Sequence, residues 1–357
     1  MFLPMRRAAG LAAGVLALAV GSTSIGCASG GIFSTGTAAT GGERTGQVAI
    51  RGSALVSALD LIPDIHDGSV MYTDWSMLGH RDRNDPNTAS FAGSLVATET
   101  LLQQQRALGI RSADLQWELD VRWPGGAPLI VLGFASRTDL SGLAGKLTRL
   151  GFHADGSSIF AGSRATLRLY DLFNIGIDAR RNLLAESGDV ARLRSVFAAR
   201  PRPLARASGV VPLLALAAAR LGRIATAAIA VGPAACVKLT GLLGPKATRA
   251  QLAHVRQLFR GTFTPPQAEI TALAGPADTT AVDALTFPDQ RTAEANRAGR
   301  LAASKVTTEM RLGSSAQVTV TSTAVTGRVL SFDMTAVQPH DFPELVDYND
   351  LGVDICP

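Results

Sequence analysis

DLQWELDVR, residues Asp114 to Arg122, is the stretch on which the fold turns. Leu115, Trp117, Leu119 and Val121 alternate with Gln116, Glu118 and Asp120. A period of two sends successive side chains to opposite faces, so this reads as a half-buried strand with its apolar set on one side. Downstream, Pro124-Gly125-Gly126 makes a turn and Pro128 to Phe134 (PLIVLGF) is the next strand. Thr138 then stands as N-cap of a helix carrying Leu140, Leu143, Leu147 and Leu150 and ended by Gly151, and Ser157 to Leu169 supplies one or two further strands. Upstream, Ser69 to Thr73 is a short strand. Phe91 to Leu108 is a helix with Leu95, Leu101, Leu102 and Leu108 in period and Gly109 beyond its end.

The same order returns in the second half. Ile224 to Val231 is a strand, Lys246 to Arg260 a helix, and Gln267 to Leu273 and Ala281 to Phe287 are strands. Asp289 to Ala303 is a helix weaker in apolar spacing, and Ala316 to Thr321 and Val329 to Met334 are strands. Gly109 and Gly261, Phe134 and Phe287, and Asp139 and Asp289 each recur at about 150 residues. The expectation is an α+β fold of two tandem ferredoxin-like (β-α-β-β-α-β) units related by an internal repeat of about 150 residues, with antiparallel sheets and helices on one face. The units are residues 53–200 and 201–357, packed together through their open faces or through extra strands. Val210 to Ala219, an Ala/Leu run too short to span a bilayer, reads as a buried helix with a counterpart at Ser53 to Ile62.

Ahead of this body the chain is of another kind. Arg6 and Arg7 precede an uncharged run, Ala8 to Val20, and small residues follow to Gly26-Cys27-Ala28. A basic start, a short apolar run and a small-residue cleavage region make a secretory signal over residues 1–26. Ser24-Ile25-Gly26-Cys27 has the form of a lipobox, with Ser24 where an aliphatic residue is usual. Lipidation at Cys27 and ordinary cleavage beside it are the two outcomes, and the first is favoured. Residues 27–52 are rich in Gly, Ser, Thr and Ala and read as a flexible spacer reaching some 25–30 Å. No transmembrane helix is expected in the mature chain.

Of three cysteines, Cys236 and Cys356 remain once Cys27 is set aside. In an oxidising compartment an even remainder reads as one bridge, against the alternative of two buried thiols. Arg6 and Arg7 account for two of the formal net charge of +5, and the other basic residues do not cluster with aromatics, so a nucleic-acid footprint is lacking. Standard nucleotide, zinc-hydrolase and serine-nucleophile motifs are missing, and no cofactor is expected. One polar cluster gathers near the first strand: Asp64, His66, Asp67, Asp74 and His80, with Asp82 and Asp85. His and Asp side chains can ligate a metal or trade protons, whereas Pro, Asp and Gly are equally the stuff of loops. His153-Ala154-Asp155 and His340-Asp341 read the same way.

The chain resembles exported lipoproteins of unassigned role from high-GC Gram-positive bacteria, through Cys27, the spacer, the Ala/Arg bias, Ile62 to Trp75 (IPDIHDGSVMYTDW) and the two late cysteines. The resemblance implies a compartment, the outer face of the cytoplasmic membrane, and carries no catalytic residues. The expected role is a non-enzymatic scaffold or a binding module for a protein or envelope component, attached to the membrane by lipid. A carrier for an apolar ligand is the second reading, and a metal-dependent hydrolase using the His66/Asp67/His80 region the third.

Overall fold

The computed structural model describes residues 53–77, 108–156, 158–162, 174–198, 202–238, 248–250, 253, 257, 261–275, 278–310, 318–338 and 353–356. In chain order these form α1 (Ala54–Leu59), β1 (Gly68–Asp74), β2 (Leu115–Arg122), β3 (Leu129–Phe134), α2 (Leu143–Arg149), β4 (His153–Ala154), β5 (Ile159–Ala161), β6 (Asn174–Asp178) and β7 (Leu183–Ser187). They continue with α3 (Val190–Phe197), α4 (Val211–Leu221), β8 (Thr226–Val231), β9 (Val237–Lys238), β10 (Ala268–Leu273), β11 (Thr280–Thr286), α5 (Gln290–Met310), β12 (Val318–Thr326), β13 (Val329–Ala336) and β14 (Ile355–Cys356). The signal, Cys27, the spacer, His80, Asp82, Asp85, His340 and Asp341 lie outside the described residues. So do nearly all of the expected helix Phe91 to Leu108 and of the acidic stretch Gln338 to Asp354, while the segment 246–260 is described, as helix, only at 249–250, 253 and 257.

Twelve strands join in one sheet, in the order β12-β13-β11-β10-β8-β1-β2-β3-β7-β6-β5-β4. The fold is thus mixed α+β with a large antiparallel sheet: every pairing in it is antiparallel. The halves meet edge to edge, β1 against β8, with Met71 opposite Ala228, rather than face to face. A split β-α-β-β-α-β layer runs its first and second strands parallel, with the third inserted between them. Here β1 pairs directly with β2, and β8 with β10, antiparallel in both cases.

Described helices cover both faces of the sheet. On one, Leu55, Leu59, Leu193, Val196, Leu213 and Leu214 pack on Leu119, Val131, Ile229 and Ile270. On the other, Leu143, Leu147 and Ala293 pack with Ile130, Leu132, Leu285, Phe287 and Phe332. Each buried Leu, Ile or Phe contributes roughly 1.5–3 kcal/mol, and two clusters that each draw on both halves make the body one cooperative core.

Double coverage changes the reading of β2. Glu118 and Asp120 are buried at 2 % and 3 % exposure, because the strand is central and both its faces are roofed. The register shifts between Leu115 and Trp117, so Leu115 joins the cluster opposite to that of Leu119, and Trp117 lies over Gly133, where any added Cβ would collide with the indole. α2 begins later than the spacing implies. Gly142 is its N-cap, and Asp139, not Thr138, binds the Ser141 N–H and hydroxyl. α1 and α4 fall where the two short apolar runs place them, and no helix among the described residues is long and apolar enough to cross a membrane.

Candidate functional site

The polar residues flanking β1 do not converge. Asp64 and His66 precede the strand, His66 exposed. Asp67 accepts from the Ala234 N–H at 3.2 Å and so holds the turn Gly232–Ala235 that leads to Cys236. Asp74 ends the strand seven residues further on, about 23 Å away. There it binds the Ser76 N–H at 3.0 Å and lies 4.0 Å from Arg223. Among the described residues no group of three or more His, Cys, Asp or Glu side chains is placed to hold a metal ion. The cysteines do meet: Cys236 and Cys356 form a disulfide across 120 residues, beside the short parallel pair β9–β14.

A buried charged centre lies elsewhere, beneath α5. Asp283 on β11 and Glu269 on β10 share a hydrogen bond, and the Thr271 hydroxyl donates to Asp283 at 2.7 Å. Arg300, fully buried, donates to the carbonyls of Val353 (2.5 Å), Ile355 (3.3 Å) and Thr264 (2.7 Å), and to Asn296 Oδ1 (3.4 Å). Burial drives the Glu269 carboxyl well above the usual range, and the charges of Asp354 and Asp283 add to it. Burial also carries Asp283 up to about 6, with Thr271, Glu269 and Arg300 pulling the other way. Desolvation lowers Arg300 to about 10, which leaves it a cation at neutral pH. Glu269 therefore keeps its proton and donates it to Asp283. Asp283 and Arg300 show no exposed surface, and through Arg300 the centre ties the C-terminal segment to the sheet.

Two other buried glutamates share this face. Glu118 accepts from Trp75 Nε1 at 2.9 Å. Glu186 on β7 stands between Ile130 and Ile175. Its Oε2 has no hydrogen-bond partner among the described residues, and burial alone raises its carboxyl to about 7. A cavity of about 210 Å³ lies between residues 108–114 and 137–146. Its cations are engaged: Arg111 and Arg137 both on Asp114 (2.8 and 3.5 Å) and Lys146 on the Leu108 carbonyl (2.7 Å). It is smaller than an ordinary ligand pocket and charged, not apolar.

The two edges of the sheet differ sharply. β4 has two residues. β12 has nine, VTVTSTAVT, with no charge and no proline, and Thr319, Thr321, Ser322 and Thr326 are exposed. Such an edge offers unpaired N–H and C=O groups to any extended chain, and natural sheets usually guard it with Lys, Pro or shortness. β12 has one bulge, between Val320 and Ser322, and among the described residues one guard, Arg297, whose Nη2 donates to the Thr323 carbonyl at 2.9 Å. Sequence reading found the strand but not its place, since Ala316 to Thr321 looks like any alternating strand until its neighbours are known. For the buried centre a signal existed: lone acids in the apolar strands AEITAL and AVDALTF, and a helix whose period lacks apolar residues.

A scan against protein-family models, a search of curated proteins and a search of solved structures each find no match to this chain.

Proposed function

We propose that the chain is a non-enzymatic binding module of the cell envelope, exported by its N-terminal signal and anchored through lipid on Cys27. Its sheet takes up a further polypeptide strand along β12. The observation that carries this is the uncharged nine-residue edge, exposed on a sheet whose two faces are otherwise roofed by helices. Backbone pairing along an open edge supplies affinity, and alternate side chains supply selectivity. The strongly perturbed carboxyls do not compete as a reaction centre. Glu269, Asp283 and Glu186 are buried and hold internal positions.

The body itself we read as a duplicated unit. Outward from the β1–β8 seam each half adds three strands and then a hairpin, β1-β2-β3 with β7–β6 and β8-β10-β11 with β13–β12; the first half carries β5 and β4 beyond that. A twofold through Met71 and Ala228 exchanges Glu118 with Glu269, as the register of β2 on β1 and of β10 on β8 requires. The ferredoxin-like label describes the order of elements in each half and not their neighbours.

The test of the docking role is amide exchange. Backbone exchange of residues 318–326 is measured on the purified chain, then after addition of solubilised envelope from the producing cells. Slowing confined to β12 supports the reading, and unchanged exchange there overturns it. For the anchor, Cys27→Ser should move the chain from the membrane fraction to the soluble fraction. Equal membrane retention of the variant would sink lipidation as the tether.

A further inference from the structure

Which groups of β12 face outward follows from its hairpin. Gly327 and Arg328 form a two-residue turn, and the closing pair of such a turn, here Thr326 opposite Val329, is hydrogen-bonded. Alternate residues then bond inward to β13: Ala324 opposite Ser331, Ser322 opposite Asp333 and, past the bulge, Thr319 opposite Thr335. The outward set is Val325, Thr323, Val320 and Val318. Arg297 reaching the Thr323 carbonyl agrees with this assignment. The same four residues lie on the α5 side of the sheet, where Val318 is buried and Val320 and Val325 pack against the core.

We infer that β12 pairs antiparallel with β12 of a second copy, about a twofold axis at the bulge, so that two twelve-stranded sheets become one. This rests on the reading of β12 as a docking edge and names its occupant. The outward set is self-complementary. Val318 comes opposite Val325 of the second copy, and Val320 opposite its Thr323. All four residues lie on the α5 side in both copies, so side chains match face to face without slippage. Between them Thr319 meets Ala324 on the other face, and the two bulges meet at the axis. A regular strand pairs with its own reverse about an axis through one residue; the extra residue between Val320 and Ser322 reverses the alternation midway and sets the axis between Thr321 and Ser322 instead. About eight backbone hydrogen bonds form, two at each outward pair, and Val–Val and Val–Thr are favourable cross-strand pairs. No charge in the strand opposes the contact; Arg297 must release Thr323, which makes it the restraint on pairing.

The experiment places a benzoylphenylalanine photocrosslinker at Thr321 in the full chain and irradiates the producing cells. An adduct of twice the chain mass, lost or greatly reduced with Thr323→Pro, is expected. Thr323 bonds nothing inward, so proline there spares the hairpin while removing a donor at each of two symmetric positions. Purified Thr323→Pro should dissociate about 100-fold more readily than the parent in sedimentation equilibrium, with unchanged circular dichroism as the control for folding. Adducts only to other proteins would overturn the second copy as occupant and leave the docking edge standing. An absence of any adduct at Thr321 would overturn both.

Discussion

Replacing Glu186 with glutamine should flatten part of the pH dependence of stability. Glu186 is 2 % exposed, between Ile130 and Ile175, and its carboxyl rises from 4.5 to about 7 through burial alone. A folded state that prefers the protonated form binds more protons than the unfolded chain between those values, so stability falls as pH rises through that window. The contribution is fully present below pH 4.5 and lost above 7. At about 1.4 kcal/mol per pH unit, the loss amounts to about 3 kcal/mol. Glutamine keeps the volume and stays neutral. The variant should therefore gain on the parent by about 3 kcal/mol between pH 4.5 and 8, whatever its offset at low pH. Urea unfolding followed by fluorescence of Trp75, Trp117 and Trp123 at four pH values measures this. Glu269 and Asp283 titrate in both proteins and cancel in the difference. A difference that stays constant across the range would refute the assignment of a buried, unassisted carboxyl at this position.

Other outcomes follow from the same structure. Cys236→Ser with Cys356→Ser should cost 2 to about 5 kcal/mol, the upper figure being loop-closure entropy for the 120-residue ring, read by thermal unfolding with and without reductant. Arg300→Ala should cost about 3–5 kcal/mol by stranding buried acids, while Arg300→Met with Asp283→Asn recovers most of it; equal losses would count against the ion cluster. Gly133→Ala should destabilise by about 1–3 kcal/mol, and pairing it with Trp117→Leu should restore stability if the indole is what the methyl meets.

Periodicity made the strands legible and left their neighbours hidden. DLQWELDVR is a strand because its apolar residues alternate, but alternation does not say whether Glu118 faces water or a second layer. That depends on the roof above β2. The helix Asp289 to Ala303 looked weak because Asn296, Arg300 and Ser304, one turn apart, present a polar stripe to the core, and hydrophobic spacing cannot register a buried polar face. The hairpin β6–β7 and α3 escaped notice, although Ser187-Gly188-Asp189 ahead of Val190, Leu193 and Val196 is a capping signal. Asp189 does accept from the Ala191 N–H at 2.8 Å. Cys236 and Cys356 were readable by counting, since pairing two cysteines leaves no choice. The grouping of Asp64, His66, Asp67 and Asp74 was proximity in sequence only. An intervening strand separates its ends.

The bridge between Cys236 and Cys356 turns the chain between them into a covalent ring that contains β10, β11, α5, β12 and β13. A single backbone cut anywhere in that ring opens it without releasing a piece. A nicked molecule would keep its mass and, with Arg300 still gripping Val353 and Ile355, its C-terminal segment. After a cut inside the ring, a second event, reduction of the bridge or another cut, is needed before any of these elements is covalently free.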